Sequence, residues 1–261
     1  MNGVLSSYLE NKLIDLVMVG TAYSSPAAVY LGLCSTEPTD SGATEVVYTG
    51  YARQQIVFAA PSGRAVAQSA GVTFPNCTGG SSVASHYAVF DSESGGEMLG
   101  YGELLASKTI AIGNTPTVAA GQITFTFVAA GVSTYLAHAL LNHAFRATAY
   151  TAPANRCIAL CTADLTDGST GSTISEPSGN GYERKTTTGW TVTGGAAWNT
   201  DVETLATPSG SWGAIAATCI TDASTGGNVL FYDNSPTGDG QTPTTGDVVQ
   251  FGVGAFICSL D

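Results

Sequence analysis

The feature that most constrains this chain is an internal repeat. Short motifs recur in the same order in its two halves, at offsets of 125 to 131 residues. The matched motifs are Thr21-Ala22-Tyr23 with Thr148-Ala149-Tyr150, Leu33-Cys34 with Leu160-Cys161, Gly50-Tyr51-Ala52-Arg53 with Gly181-Tyr182-Glu183-Arg184, Gly95-Gly96 with Gly226-Gly227, and Gly121-Gln122 with Gly246-Asp247. The four-residue gain in offset, from 127 to 131, falls in a loop rich in Gly, Ser and Thr, where insertions are tolerated. Self-similarity of this kind indicates a tandem duplication.

The duplication predicts two domains, one over residues 1–130 and one over residues 131–261. Each half opens with leucines at three- and four-residue spacings, which is typical of a helix with one buried face. Ser6 or Ser7 can cap the first helix and Gly20 can end it, while Ser133 or Thr134 can cap the second. Each domain is therefore expected to be preceded by one short α-helix.

Short runs of alternating apolar and polar residues follow each helix. Clusters of Gly, Pro, Ser and Asp separate them, as in antiparallel hairpins. The predicted strands are Val29–Leu33, Gln54–Ala59, His86–Asp91, Gln122–Val128, Cys157–Cys161, Thr188–Thr193, Ala217–Thr221, Val229–Tyr232 and Val248–Ile257. The sequence thus predicts a mainly β fold, with two tandem β-sandwich or small-barrel domains.

One hairpin loop is predicted in each half. Asp91 precedes Gly95-Gly96, and Asp222 precedes Gly226-Gly227 at the same spacing. An aspartate that opens a loop accepts backbone N–H groups, and glycines supply its left-handed positions. We therefore expect two equivalent turns.

The composition excludes several classes of partner. The chain has a net charge of −12 and only 8 Lys and Arg residues, so it cannot track nucleic-acid phosphates. No apolar run approaches the roughly 18 residues of a membrane span. The first residues include Glu10 and Asp15 and lack a basic segment, so no secretory signal is expected.

Metal and catalytic chemistry are also not expected. The 6 cysteines contain no C-x2-C pair and lie in apolar stretches, which favours buried, reduced thiols rather than a metal site. The 3 histidines lie near no G-x-S-x-G elbow, and no phosphate-binding glycine loop is present. We predict no enzyme activity, no catalytic residues and no cofactor.

Three acidic pairs are interpreted as solvated turn residues, with loop-bound Ca²⁺ left open. They are Asp91 with Glu93, Asp164 with Asp167, and Asp233 with Asp239.

Two kinds of residue are candidate contact sites or structural anchors. The first is a Tyr-x-Arg motif, Tyr51 with Arg53 and Tyr182 with Arg184, which keeps a basic residue at equivalent places in both halves. Two residues apart on a strand, the ring and guanidinium share a face and can stack or reach a carboxylate, which favours a structural anchor. The tryptophans of the second half lie in Gly-rich stretches and are interpreted as exposed aromatics; they could be core residues, or anchors for a partner or sugar. They are Trp190, Trp198 and Trp212.

Several motifs of the first half resemble small virion structural proteins of tailed bacteriophages, often labelled tail-fibre-like. They are the run Tyr30–Gly42, Gly50–Arg53, Phe74-Pro75, the strand ending at Asp91 before Gly95-Gly96 and Leu99, and Ala120-Gly121-Gln122. The second half matches more loosely, since Phe74-Pro75 has only Leu205 near the equivalent place. The resemblance implies a virion component assembled in the host cytoplasm.

Two placements on the virion follow as hypotheses. The chain has no coiled-coil heptads or glycine-repeat triple helix, and it carries two globular repeats. These features favour a capsid decoration, or cement, protein that binds across capsomer junctions and stabilises the head. Its expected partners are the major capsid protein and further copies of itself. The alternative is a tail-fibre or tail-tip module that binds a host receptor or carbohydrate.

Overall fold

The computed structural model describes residues 1–40, 42–128, 131–236 and 240–260. The helices are α1 (Ser7–Ile14), which continues as a π-helical segment (Asp15–Val19), and α2 (Thr134–Phe145). The strands are β1 (Asn2–Leu5), β2 (Val29–Cys34), β3 (Gln54–Ile56), β4 (Ala65–Ala67), β5 (Val72–Thr73), β6 (Ser82–Phe90), β7 (Met98–Ile110), β8 (Thr117–Val118), β9 (Thr124–Thr126), β10 (Arg156–Cys161), β11 (Lys185–Thr187), β12 (Trp190–Thr193), β13 (Ala196–Asn199), β14 (Glu203–Thr204), β15 (Ala217–Thr221), β16 (Val229–Asp233), β17 (Gln250–Phe251) and β18 (Ile257–Ser259). The predicted mainly β fold is confirmed.

Serine side chains begin both helices. The Oγ of Ser6 accepts the backbone N–H of Leu9 at 3.2 Å and donates to the carbonyl of Met98 at 2.5 Å. Ser133 repeats this arrangement with Leu136 at 3.1 Å and the carbonyl of Val229 at 2.5 Å. Each serine therefore satisfies an orphan N–H of its helix and ties that helix to a strand.

The two helices end at equivalent positions. Gly20 adopts the left-handed conformation that closes a helix, with φ of 87°, as the sequence predicts. Its counterpart 127 positions later is Ala147, which has φ of 51°. Alanine pays a steric penalty in this region that glycine does not. The second helix therefore ends under strain.

The strands of the first half form a seven-stranded sheet in the order β3-β2-β6-β7-β1-β9-β4. Strand β1 holds the sheet together, because it pairs antiparallel with β7 and parallel with β9. A further two-stranded ladder joins β5 to β8.

The second half repeats these pairings in separate sheets. Its strands form a four-stranded sheet, β11-β10-β15-β16, and a three-stranded sheet, β12-β13-β18. The pair β4–β9, with Val66 opposite Phe125, recurs as β13–β18, with Ala197 opposite Cys258. The pair β5–β8 recurs as β14–β17. The duplication is thus visible in strand register as well as in sequence. The register places the counterparts of Val118 and Phe125 133 positions later, so the sequence match of Gly121 with Gly246, at an offset of 125, is wrong.

Strand β7 is the largest departure from the predicted strands. It spans 13 residues, and its ladder with β6 skips from Ala84 opposite Lys108 to His86 opposite Glu103. The residues between these two pairs form a bulge, and the residues from 105 to 109 are all exposed. The predicted strand Val248–Ile257 is also wrong as one element, because it divides into β17 and the start of β18.

The chain divides into two compact units. Unit 1 comprises Met1–Lys12, Tyr23–Phe127 and His138–Tyr150, and unit 2 comprises Leu13–Ala22, Val128–Ala137 and Thr151–Asp261. Each unit has its own buried core, which includes Leu31, Tyr87 and Leu99 in unit 1 and Ile158, Leu160 and Leu230 in unit 2. The boundary between residues 130 and 131 remains a prediction.

Candidate functional site

A carboxylate joins the tyrosine and arginine of the first repeated motif. Glu45 accepts the hydroxyl of Tyr51 at 2.5 Å and the Nε and Nη2 groups of Arg53 at 3.0 and 2.7 Å. The Arg53 and Glu45 side chains are only 10% and 23% exposed. Tyr51 and Arg53 lie in the segment before β3, not on a strand as the sequence analysis assumed. We call this group the first clamp.

The first clamp holds a hairpin loop and a strand. The Nη1 of Arg53 donates to the carbonyls of Ser92 at 2.9 Å and Gly95 at 2.6 Å. Its guanidinium also covers the ring of Phe90, 3.3 Å from the centroid. Tyr51 binds strand β2, because its hydroxyl accepts the N–H of Leu33 at 3.0 Å. Four chain segments therefore meet at one ion pair.

The second clamp reproduces the first. Glu176 accepts the hydroxyl of Tyr182 at 2.7 Å and the Nη2 of Arg184 at 2.7 Å. The N–H of Leu160 donates to the Tyr182 hydroxyl at 2.9 Å. The two side chains of this ion pair, Arg184 and Glu176, are 3% and 20% exposed. The second ion pair is therefore more buried than the first.

Arg184 reaches more of the main chain than Arg53 does. Its Nη1 donates to the carbonyls of Ala223 and Gly226, each at 2.8 Å. Its Nη2 also donates to the carbonyl of Gly171 at 2.6 Å, so an additional loop is bound. Ala223 and Gly226 are the counterparts of Ser92 and Gly95, 131 positions later. The same two loop carbonyls are thus held in both halves.

The pKa shifts of the clamp residues keep their hydrogen-bond donors protonated. Burial raises the pKa of Tyr51 and of Tyr182, and the hydrogen bond from each to its glutamate raises it further. For Arg184, burial lowers the pKa, but the hydrogen bond and charge of Glu176 outweigh it, so that the pKa is raised. Near neutral pH both tyrosines stay protonated and Arg184 stays charged, which preserves every donor.

The predicted aspartate turns are confirmed in the loops that the clamps bind. The Oδ1 of Asp91 accepts the N–H of Glu97 at 2.8 Å, and that of Asp222 accepts the N–H of Asn228 at 2.7 Å. The paired glycines of both loops have positive φ, as expected. Each loop is therefore fixed by hydrogen bonds from its backbone N–H groups to its own aspartate and from the clamp arginine to its carbonyls.

Sequence reasoning missed the two glutamates of the clamps. Glu45 lies six residues before Tyr51, and Glu176 lies six residues before Tyr182. Their offset of 131 equals that of the tyrosines and arginines they bind. Extending the alignment of the repeats through the intervening loop would have found them.

The tryptophans are placed differently from one another. Trp190 is 8% and Trp212 is 2% exposed, so the expectation that all three are exposed is wrong for these two. Trp212 packs edge-on against the ring of Tyr182, with centroids 5.2 Å apart, and donates to the carbonyl of Asn180 at 3.0 Å. Trp198, on β13, is half-buried. Indoles fill the core here because their apolar area is large.

The histidines lie apart from one another in different surroundings. His86 shares a 2.9 Å hydrogen bond with its neighbour Ser85. His143 is 1% exposed, its Nδ1 accepts the N–H of Tyr150 at 2.9 Å, and burial lowers its pKa while the backbone of Tyr23 opposes part of that shift. His138 is half-buried on α2.

The described part of the chain holds neither a cluster of metal ligands nor a membrane-spanning helix. No three His, Cys, Asp or Glu side chains lie close enough there to hold a metal ion. Asp239, from the third acidic pair, lies outside the described residues. No helix within these ranges is long and apolar enough to cross a membrane.

All six cysteines are buried and free, as predicted. Burial raises the pKa of the Cys34 thiol to about 12 and raises that of Cys258 as well. The pKa of the Cys219 thiol is also raised, by the hydrogen bond that the neutral thiol makes with Cys161 and by burial. Thiols of this kind are unreactive because the thiolate is scarce.

The fold and the two clamps define a class of protein: a tandemly duplicated β protein in which a buried arginine holds one hairpin loop of each copy. The chain belongs to the family described as podophage GP4 fiber I protein gp80, whose model matches residues 4–126 and again residues 131–259. The two consecutive matches confirm the duplication and the resemblance to phage virion structural proteins. The chain is therefore a virion structural protein. No curated protein matches it.

Proposed function

We propose that this chain is a structural component of a phage tail fibre and that it acts without catalysing a reaction. The observation that carries the proposal is the match of both halves to a family described as a fibre protein. A fibre component then replaces the capsid decoration protein as the leading hypothesis, and head attachment becomes an outcome of the test below. The expected partners become other tail proteins and further copies of the chain.

The clamps support a passive structural role. The arginines of the clamps donate hydrogen bonds to the chain's own loops. The acceptors are the carbonyls of Ser92, Gly95, Ala223 and Gly226. A loop fixed on a rigid scaffold suits a surface that binds a partner with little rearrangement, because less conformational entropy is lost on binding.

The cysteines support function in a particle that leaves the cell. Outside the host, thiols meet an oxidising environment in which exposed ones become oxidised or cross-linked. All six thiols are buried, and the pKa values of Cys34, Cys219 and Cys258 are raised. The fold therefore protects them without disulfide bonds.

The position of the chain on the particle can be tested with a gold-labelled antibody raised against the purified chain. Electron micrographs of intact particles are expected to show label on the fibres at the tail. Antibody preabsorbed with the purified chain is the control for non-specific binding. Label spread over the head would overturn the fibre assignment and support the capsid decoration hypothesis.

The absence of catalysis needs a separate measurement. Purified chain incubated with host envelope material is expected to release no sugar or peptide above the level seen with heat-denatured chain. Release that disappears in a Ser85→Ala variant would overturn the proposal and direct attention to the contact between Ser85 and His86.

A further inference from the structure

The composition of the two compact units reveals a reciprocal exchange between the two halves. Unit 1, built mainly from the first half, includes His138–Tyr150 of the second half. Unit 2, built mainly from the second half, includes Leu13–Ala22 of the first half. Displaced by the repeat offset of 127, Leu13–Ala22 corresponds to residues 140–149. The same part of the repeat is therefore exchanged in both directions, and we call these two stretches the exchanged segments.

Unit 1 holds its exchanged segment by an aromatic stack. Phe145, which is 4% exposed, stacks on Phe125 of β9, with ring centroids 4.7 Å apart and an interplanar angle of 8°. The ring of Phe58 also packs against the ring of Phe145, with centroids 5.1 Å apart. Both partners of Phe145 belong to the first half, so a side chain of the second half completes the core of unit 1.

Hydrogen bonds hold the backbone of the same segment. The Oγ of Ser25 donates to the carbonyl of His143 at 2.7 Å. The Nε of Arg146 donates to the carbonyl of Phe58 at 3.2 Å. The stack and these two bonds fix residues 143 to 146, at the C-terminal end of α2, within unit 1.

Unit 2 holds the other exchanged segment in a comparable way. Leu16, Val17 and Met18 are all buried, at 4%, 0% and 1% exposure. Their π-helical stretch contacts β12. The Nε of Arg156 donates to the carbonyl of Val17 at 2.7 Å, which gives a carbonyl in the last turn of the π-helical segment a hydrogen-bond partner.

We propose that the chain is a fused dimer of one repeat, in which each half completes its core with the exchanged segment of the other. The partner that fits each half is thus a second copy of the same repeat. Removing an exchanged segment would expose a set of large apolar side chains to water. The two halves should then stay bound to each other even when the connection between them is cut.

The test cuts that connection in the full-length protein. A protease recognition sequence is inserted after Val128, which is 71% exposed, and an affinity tag is placed on the first half. After cleavage, the tag is expected to retain the second half through dilution and washing. The uncut protein with the same insertion is the control and must keep its circular dichroism spectrum and melting temperature. Elution of the second half in the wash would overturn the proposal.

Thermal unfolding gives an independent readout of the same cut protein. Two chains that fold only together have a melting temperature that rises with concentration. The cut protein is expected to show this rise, and the uncut protein is expected not to show it. A melting temperature independent of concentration after cutting would mean that each half folds alone, contrary to the proposal.

Two variants on the same helix separate a specific exchange from general destabilisation. Phe145→Ala is expected to weaken the association of the cut halves by about 100-fold or more, because a buried ring is removed. Tyr135→Ala is the matched control, since Tyr135 is 42% exposed and lies outside the exchanged segment. Equal effects of the two substitutions would contradict the proposal.

Hydrogen exchange tests the proposal in the uncut chain. Phe145→Ala, a change in the second half, is expected to accelerate amide exchange in β4 and β9 of the first half. Their counterparts in the second half, β13 and β18, are the internal control and should keep their rates. Acceleration confined to the second half would overturn the exchange.

Discussion

Replacing Arg184 with methionine tests how much the second clamp stabilises unit 2. Methionine keeps much of the apolar volume of the side chain but removes every donor. The substitution leaves the Glu176 carboxylate, 20% exposed, and the carbonyls of Gly171, Ala223 and Gly226 without their cation. Each of these groups must then find water or remain unsatisfied.

The magnitude follows from the burial of the pair. Breaking a buried ion pair by removing one partner costs about 3–5 kcal/mol, because the remaining charge stays uncompensated. The partial exposure of Glu176 lets water reach it, so we expect the lower part of this range, about 3 kcal/mol. Arg53→Met is the matched variant in the first half. We expect about 2 kcal/mol there, since Arg53 is more exposed and binds one loop fewer.

The assay is urea unfolding followed by tryptophan fluorescence. Trp190, Trp198 and Trp212 all lie in unit 2, so their signal reports the unit that contains Arg184. With a slope of about 2–3 kcal/mol per molar urea, the midpoint is expected to fall by about 1 M or more. If the slope of free energy against urea concentration stays unchanged, the shift of the midpoint reports a change in stability and not in the compactness of the denatured state.

A double-mutant cycle decides whether the ion pair is responsible. Glu176→Gln, Arg184→Met and the double variant are compared, and the double variant is expected to cost at least about 1.5 kcal/mol less than the sum of the single changes. A loss below about 1 kcal/mol for Arg184→Met would refute the reasoning, and so would strict additivity, since either result means that the two groups act independently.

The remaining predictions concern the helices and the thiols. Ala147→Gly is expected to raise stability by about 0.5–1 kcal/mol in thermal unfolding, whereas the matched Gly20→Ala is expected to lower it, since both residues have positive φ. Ser133→Ala is expected to cost about 1–2 kcal/mol, because the cap of α2 and its bond to Val229 are lost; Ser7→Ala, which removes no cap, is the control. The folded-state pKa of His143 is lowered, so below pH 6.5 the unfolded state binds more protons and stability should fall as pH falls; His143→Asn, which keeps an acceptor for Tyr150, should flatten that dependence in a series of melting curves. The six thiols are expected not to react with a thiol reagent until urea unfolds the chain, and rapid reaction in native buffer would contradict their burial.

The sequence was most informative where a local pattern has one physical solution. The capping serines, the glycine that ends α1, the aspartate turns and four strands of the second half (β10, β12, β15 and β16) follow from short-range chemistry. Strand β7 was missed because residues 105 to 109 are all exposed, so no alternation marks it. Short strands such as β5 and β14, of two residues each, carry no periodic signal at all.

The candidate site was half visible from sequence for a related reason. Tyr51 and Arg53 stand out because their neighbours also match in the second copy, while Glu45 lies in a loop whose other residues differ from those around Glu176. The exchanged segments were not predictable, since a helical pattern records which face is buried but not which half supplies the partner surface. The burial of Trp190 and Trp212 was misjudged because their Gly-rich surroundings suggested loops, whereas a turn-rich chain can still cover an indole.

The way the clamps hold their loops has a consequence for how this surface can evolve. Among the described residues, Arg53 and Arg184 bind carbonyl oxygens of these loops, which every amino acid provides, and make no bond to the side chains at the loop tips. The tip residues Glu93 and Ser224 can therefore be replaced without changing the shape of the backbone that presents them. A particle under selection by a changing host could thus alter the chemistry of these two loops one residue at a time, and each new variant would be displayed on the same fixed frame.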